Sequence, residues 1–195
     1  MSQGVGNKLE LAVGRNDGSL ADIEWLSSGN NFSCVTFLRT GQAELVLKPI
    51  DPIIRVDRTA ALIYPNWFKE VLNPELENTG PAEYDGTKLV QFILPKQKID
   101  TVTGHQICEY LERNNMLPSC LGLHDLKAIQ QKGIFFFRQN WKGKFIFGCR
   151  LVFRGGHNDR PNVPYLYEAD GEVVLSWFCL GGYWSPKSLI LLFAS

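Results

Sequence analysis

The chain has 195 residues, which suits one domain of roughly 100–150 residues with an elaboration. Its 20 Lys and Arg balance 20 Asp and Glu, so no overall field favours nucleic acid or an anionic membrane surface. Hydrophobic residues make up 45%, as in ordinary globular proteins, while no run approaches the roughly eighteen apolar residues of a membrane span and MSQGVGNKLELAVG is no basic-then-apolar leader, so the expectation is a soluble chain, cytoplasmic by default, with neither membrane insertion nor a nucleic-acid partner.

Leu9 to Val56 reads as strands (LELAV, FSCVTFL, AELVLK, PIIRV) separated by Asn16-Asp17-Gly18, Ser28-Gly29-Asn30 and Thr40-Gly41, residues that accept the positive φ of tight turns. From Asp57 to Tyr84, Pro65, Pro74 and Pro81 leave room for one short helix at Asn66 to Leu72, with Trp67 and Phe68 packing inward. Glu75, Glu77 and Glu83 read as a solvated acidic face. Residues 1–80 are thus a strand-rich elaboration with a connector, and 81–195 the principal domain.

Within that domain Lys88 to Leu94 is a strand, Thr103 to Met116 a helix capped by Thr103, and Leu123 to Lys132 a second helix stopped by Gly133. Strands are expected at Ile134 to Arg138, Lys144 to Phe153, Tyr165 to Glu168, Val173 to Trp177 and Leu189 to Phe193. One strand, two helices and a run of strands define an α+β class.

The segment Val163 to Ser195, VPYLYEADGEVVLSWFCLGGYWSPKSLILLFAS, is nearly uncharged, and between its two apolar strands it mixes aromatic residues with Ser and Gly. Rigid rings beside small adaptable residues are the composition of recognition loops, because they offer contact area at little entropic cost. A buried terminal hairpin is the plainer account of the same letters.

VPYL, EADGEVVLSW, Trp177-x-x-Leu180-x-x-x-Trp184 and the closing Phe193-Ala194-Ser195 resemble the variable region of diversity-generating retroelement target proteins. Those proteins end on a C-type-lectin-like fold of the formylglycine-generating-enzyme type, and adenine-directed mutagenesis rewrites their last segment. Randomising the two adenines of an Asn codon reaches Phe, Cys, Gly, Tyr, Ser and Pro but never Trp or Lys. The resemblance therefore implies a ligand surface of Ser176, Phe178, Cys179, Gly181, Gly182, Tyr183, Ser185, Pro186, Lys187 and Ser188, with Lys187 outside the reachable set. Trp177, Leu180 and Trp184 would be scaffold beneath it. Phe178, Tyr183 and Lys187 should then be exposed and both Trp residues buried. The resemblance also implies that the first and last strands of the domain pair, that no cofactor is needed, and that the partner is an unidentified protein or surface ligand.

Other chemistry has weaker support. His105 and Cys108 share a helix face without a third orienting residue, so a half-buried pair outweighs a nucleophile. His124 beside Asp125 starts a helix, where Asp complements the dipole. The loop Arg154 to Pro164 offers His157, Asn158, Asp159 and Asn162, yet with a single carboxylate it reads as a solvated loop rather than a calcium site. Lys142, Lys144, Arg138, Arg150 and Arg154 interleave with Phe135, Phe136, Phe137, Trp141 and Phe145, a pattern that alternating strands produce without nucleic acid. Five scattered cysteines with no CxxC pair read as free thiols, and no glycine spacing marks a nucleotide loop. The reading is a non-enzymatic binding protein, with a plain structural or interaction protein, or an enzyme of the formylglycine-generating type, as the alternatives.

Overall fold

The computed structural model describes residues 50–156 and 159–194, and the strands expected before Ile50 lie outside the described residues. Strand β1 (Ile53–Arg55) pairs antiparallel with β3 (Glu83–Asp85) as a separate ribbon. Between them lie β2 (Phe68–Val71) and a single helical turn, α1 (Pro74–Glu77). The helix expected at Asn66 to Leu72 is therefore a strand. Its register against the strand at Phe153–Gly155 shifts between Phe68 and Glu70, and such an irregularity hides the two-residue period by which a strand is read. Trp67 remains 37% exposed rather than packed fully inward.

The chain continues through β4 (Val90–Phe92) and β5 (Val102–Thr103) into helix α2 (Gly104–Arg113). Thr103 and Gln106 form a reciprocal cap: the Gln106 amide donates to Thr103 Oγ1 at 3.3 Å, and the Thr103 amide to Gln106 Oε1 at 3.0 Å. Helix α3 (Leu123–Trp141) is interrupted at Gly133, whose φ of 83° only glycine adopts without strain. Gly133 does stop the first helical segment, but 134–138 resumes as helix rather than strand. Phe137 and Trp141, four apart, then share a buried face with Phe136, whereas Phe135 is 72% exposed.

The remaining strands are β6 (Phe145–Phe147), β7 (Phe153–Gly155), β8 (Arg160–Ala169), β9 (Glu172–Cys179), β10 (Tyr183–Trp184) and β11 (Ser188–Leu192). The main sheet runs β2-β7-β8-β6-β11-β4, with β9 along the other edge of β8. Within it β11 lies parallel to β6 and antiparallel to β4. The expected pairing of the domain's first and last strands is thus present, and the fold is α+β. The span expected as one strand from Lys144 to Phe153 is instead β6, a turn and the start of β7.

Every residue of β11 is buried because both sheet faces are covered. Leu189 and Leu191 enter a core with Ile129, Phe137 and Leu166 on the α3 side, while Ile190 and Leu192 enter a second core with Ile107, Leu111 and Trp184 on the α2 side. A strand buried on both faces is a continuous apolar run rather than an alternating one, as LILL is.

A buried ion network ties α3 to the segment after β6. Asp125, fully buried, pairs with Arg150, also fully buried, and with Arg58 at 2.5 Å, and accepts the Gly122 amide at 2.8 Å. Arg150 lies with its guanidinium carbon 5.4 Å from the Phe193 ring centre. Its inward position overturns the expectation that it faces solvent from an alternating strand. Burial pulls its pKa down and the Asp125 charge opposes that shift. Next to Asp125, His124 is 4% exposed and bonds Asn78 Oδ1 at 2.9 Å.

Two predictions follow from this network. Asp125→Ala leaves two guanidinium groups with no carboxylate in the interior, and chemical denaturation should show a loss of about 3–5 kcal/mol. Desolvation holds the folded His124 pKa below its ordinary value, so the folded state binds fewer protons than the unfolded chain. Its contribution is full above the unfolded pKa and is lost as pH falls below about 6.5 towards the folded value, and His124→Gln should flatten the dependence of the melting temperature on pH across that window.

Candidate functional site

The expected ligand segment begins in β9, where alternation divides it between the two sheet faces. Val163, Tyr165 and Tyr167 of β8 sit opposite Phe178, Ser176 and Val174 of β9, all on the α2 side of the sheet. Trp177 and Cys179 point to the other side. There Trp177 is half-buried, with its ring centre 5.1 Å from Phe153 and 6.4 Å from Tyr64. Trp177 is thus only half-buried where full burial was expected, and Cys179 shares its face rather than that of Ser176 and Phe178.

The α2 side carries an aromatic surface. Tyr165 stacks on Tyr167 at 5.3 Å and on Phe147 at 5.2 Å, and Phe145, 36% exposed, lies 6.2 Å from Tyr165. Phe178 meets Tyr165 and Phe147 edge-on, each at 5.8 Å. Phe178 is accordingly half-buried rather than exposed, and its ring fills the space that a side chain at Gly182 would need. Phe145, Tyr165 and Tyr167 were not among the residues expected at the site. Their signal was the two-residue spacing in Phe145-x-Phe147 and Tyr165-x-Tyr167, which marks a face but not which face stays open.

After Cys179 the chain is held through its main chain. The Leu180 amide donates to Pro161 O at 2.9 Å, and the Gly182 amide to Cys179 O at 3.0 Å. At the N-terminus of α2, the Gly104 and His105 amides donate to Gly182 O at 3.2 Å and Leu180 O at 2.9 Å. These are amides that a helix leaves without intrahelical partners, so the turn supplies acceptors where the helix lacks them. A side chain at position 104 would place its Cβ 2.9 Å from the Leu180 backbone, so only glycine admits this approach. Tyr183 and Trp184 then pair with Thr103 and Val102.

The next turn is held by Gln97, which is fully buried and whose amide nitrogen donates to Ser185 O and Ser188 O at 2.7 Å each. Lys187 O accepts the Phe145 amide at 2.9 Å, which sets this turn beside the aromatic surface. Trp184 is fully buried, stacked on Phe147 at 3.8 Å, and Leu180 is 3% exposed. Both are buried in the core on the α2 side. Tyr183 is 72% exposed, and Gly181, Pro186 and Lys187 are exposed, while Ser176, Cys179, Gly182 and Ser185 are half-buried. Ser188 is 6% exposed as the first residue of β11, where a ligand cannot reach it.

The other candidates are held in structural roles. No hydrogen bond or ion pair joins His105 to Cys108 among the described residues. Cys108 instead lies against Cys149, where their hydrogen bond and then burial push the Cys149 thiol well up, and burial raises the Cys120 thiol to about 12. Such thiols stay protonated and are poor nucleophiles. In the loop expected to be solvated, Asp159 pairs with Lys69 and Asn162 donates to Arg160 O at 2.6 Å, while His157 and Asn158 lie outside the described residues. Among the described residues no three His, Cys, Asp or Glu side chains converge as metal ligands. The basic and aromatic residues of 135–154 disperse: Arg138 pairs with Glu168, Arg154 with Glu70 and Arg150 with Asp125, and Phe136, Phe137 and Trp141 are core. No helix among the described residues is long and apolar enough to cross a membrane.

No protein-family model matches the chain, and no curated protein sequence or solved structure matches it.

Replacing Gln97 by Leu removes the donor to two carbonyls while keeping the side chain's bulk, and should cost about 1–3 kcal/mol. Hydrogen exchange should localise the effect, with the Ser188 amide, which bonds Ser185 O at 2.9 Å, exchanging faster and the amides of α3 little changed.

Proposed function

We propose that the protein is a non-enzymatic ligand-binding protein of C-type-lectin-like fold, whose segment 163–195 is diversified by a retroelement to vary what it binds. The observation that carries the reading is the anchoring of residues 179–188. Their main chain is bonded by Pro161, Gly104, His105, Thr103, Val102, Gln97 and Phe145, all outside the segment save for contacts of the segment with itself. A surface whose backbone is held from outside can change its side chains without losing its shape. Pre-organisation of that kind also lowers the entropic cost of binding.

The binding surface in this reading is the aromatic face of Tyr165, Tyr167, Ser176 and Phe178 with Phe145, continued by the turn Ser185-Pro186-Lys187. Gly181 and Tyr183 are the exposed residues of a second turn around half-buried Gly182. Cys179 belongs to the opposite side, and Ser188 drops out of the surface to serve as part of the clamp. Leu180 and Trp184 belong to the core on the α2 side, with Ile107 and Leu111. The paired β4 and β11 and the order of two helices before the later strands also support the C-type-lectin-like assignment.

DNA flanking the coding sequence tests the diversification directly. The reading requires a nearby reverse transcriptase and a near-copy of the segment encoding 163–195 that differs from it at adenines. Substitutions should concentrate in the codons of Ser176, Phe178, Gly181, Tyr183 and Ser185 and spare those of Trp177 and Trp184. A locus with neither element leaves an ordinary interaction protein and removes the retroelement from the account.

A further inference from the structure

The face opposite the aromatic surface holds a cavity of about 520 Å³ at the end of β7, β8 and β9, within the range of small-ligand sites. Its floor follows from the sheet register. Gly155 lies opposite Arg160, and Asn162 opposite Cys179, so these four residues sit on one sheet face. Trp67 forms a wall, its ring laid against Gly155, where a Cβ would come within 2.9 Å of ring atom Cε3 and 2.5 Å of the Trp67 carbonyl oxygen. The Trp67 carbonyl also accepts the Gly156 amide at 3.1 Å, and Phe153 supports the ring at 5.5 Å. The indole is thus held in place while 37% of the residue remains exposed.

The cavity's polar groups carry one uncompensated positive charge among the described residues. Lys69 and Arg160 both line it. Asp159 neutralises Lys69, but Arg160 has no carboxylate partner among the described residues. Asn162, 8% exposed, donates to Arg160 O, and its own amide oxygen has no donor among the described residues. A fixed aromatic wall and a guanidinium without a carboxylate partner among the described residues select a flat, negatively charged molecule, while the Asn162 amide oxygen can accept only from an N–H or O–H of the ligand. A carboxylate or sulfonate meets the planar fork of Arg160, and an aromatic body stacks on the indole.

We propose that this cavity binds a planar aromatic anion, with Arg160 receiving the charged group and Trp67 the ring. Except for Cys179, its lining lies outside the exposed turns and aromatic face assigned above, and the proposal stands whether or not the segment is diversified. Cys179 closes one side of the cavity, so a larger residue there narrows it.

The probe is 8-anilinonaphthalene-1-sulfonate, titrated at low salt into the full-length protein and compared with N-phenyl-1-naphthylamine, which has the same rings without the charge. The proposal expects saturable one-site binding of the sulfonate with quenching of tryptophan emission. Arg160→Glu and Trp67→Leu should each weaken it by about tenfold or more, as loss of a charge-assisted hydrogen bond or a stacking wall implies, with the neutral amine weaker by a similar factor. Ile99→Ser, at a position 89% exposed and outside the cavity lining, should leave affinity unchanged. Thermal melts of the variants establish that each is folded, since both Arg160 and Trp67 are exposed enough to be replaced without opening the core. Equal affinity for the two probes, retention of binding in Arg160→Glu, or loss of binding in Ile99→Ser would each overturn the assignment.

Discussion

The clamp on the main chain of residues 179–188 is the constraint on which the rest of the C-terminal half depends. A turn of exposed small and aromatic residues has no core of its own, and fixing each residue's backbone costs about 1–2 kcal/mol of conformational entropy. Here the cost is offset from outside. The first amides of α2 meet the carbonyls of Leu180 and Gly182, β5 pairs with β10, and buried Gln97 bridges Ser185 and Ser188. None of these bonds uses a side chain of the exposed turn. The geometry depends in turn on the Thr103 and Gln106 cap, which sets where α2 begins, and on Gly104, which lets the turn approach it.

The second support is β11. Its two-sided burial joins the core under α3 to the core under α2, and its pairing with both β4 and β6 places the last turn beside Phe145. Trp184 completes the arrangement from below by stacking on Phe147 of β6. The two faces of β9 then serve different environments. Ser176 and Phe178 join an aromatic surface, while Trp177 and Cys179 look toward Phe153 and the cavity beside Trp67. A single stretch of sequence thereby contributes to two surfaces of different chemistry, one apolar and aromatic, the other cationic.

Much of this was legible where a local rule and the tertiary environment agree. Thr103 marks the start of α2, Gly133 marks a helix stop because its φ is positive, and the run Leu189 to Leu192 reads as a buried strand. The failures come where the environment overrides local preference. Three consecutive phenylalanines favour a strand, yet 134–141 is helical because Phe136, Phe137 and Trp141 reach the core only at helical spacing. Strand β2 was read as a helix because its irregular register obscured alternation. The aromatic surface escaped notice because Phe145, Tyr165 and Tyr167 come from strands whose pairing no local pattern reveals. Ser188 looked like its neighbours in composition but is the first buried residue of β11, and the inward turn of Arg150 depends on a carboxylate 25 residues earlier in the chain.

The central claim is that shape in this segment is set by the clamp and not by the side chains that the clamp presents. A stability-selected library in which each codon from Ser176 to Ser188 is randomised one at a time, sorted by resistance to protease, reads this directly. Exposed surface changes typically stay within about 0.5 kcal/mol, and truncation of a buried aromatic costs about 3–5 kcal/mol. The account predicts broad tolerance at Tyr183, Pro186 and Lys187, restriction at Ser188, and near-complete intolerance at Leu180 and Trp184. Intolerance at Tyr183 and Lys187 equal to that at Trp184 would show that the turn is held by its own side chains, and would contradict it.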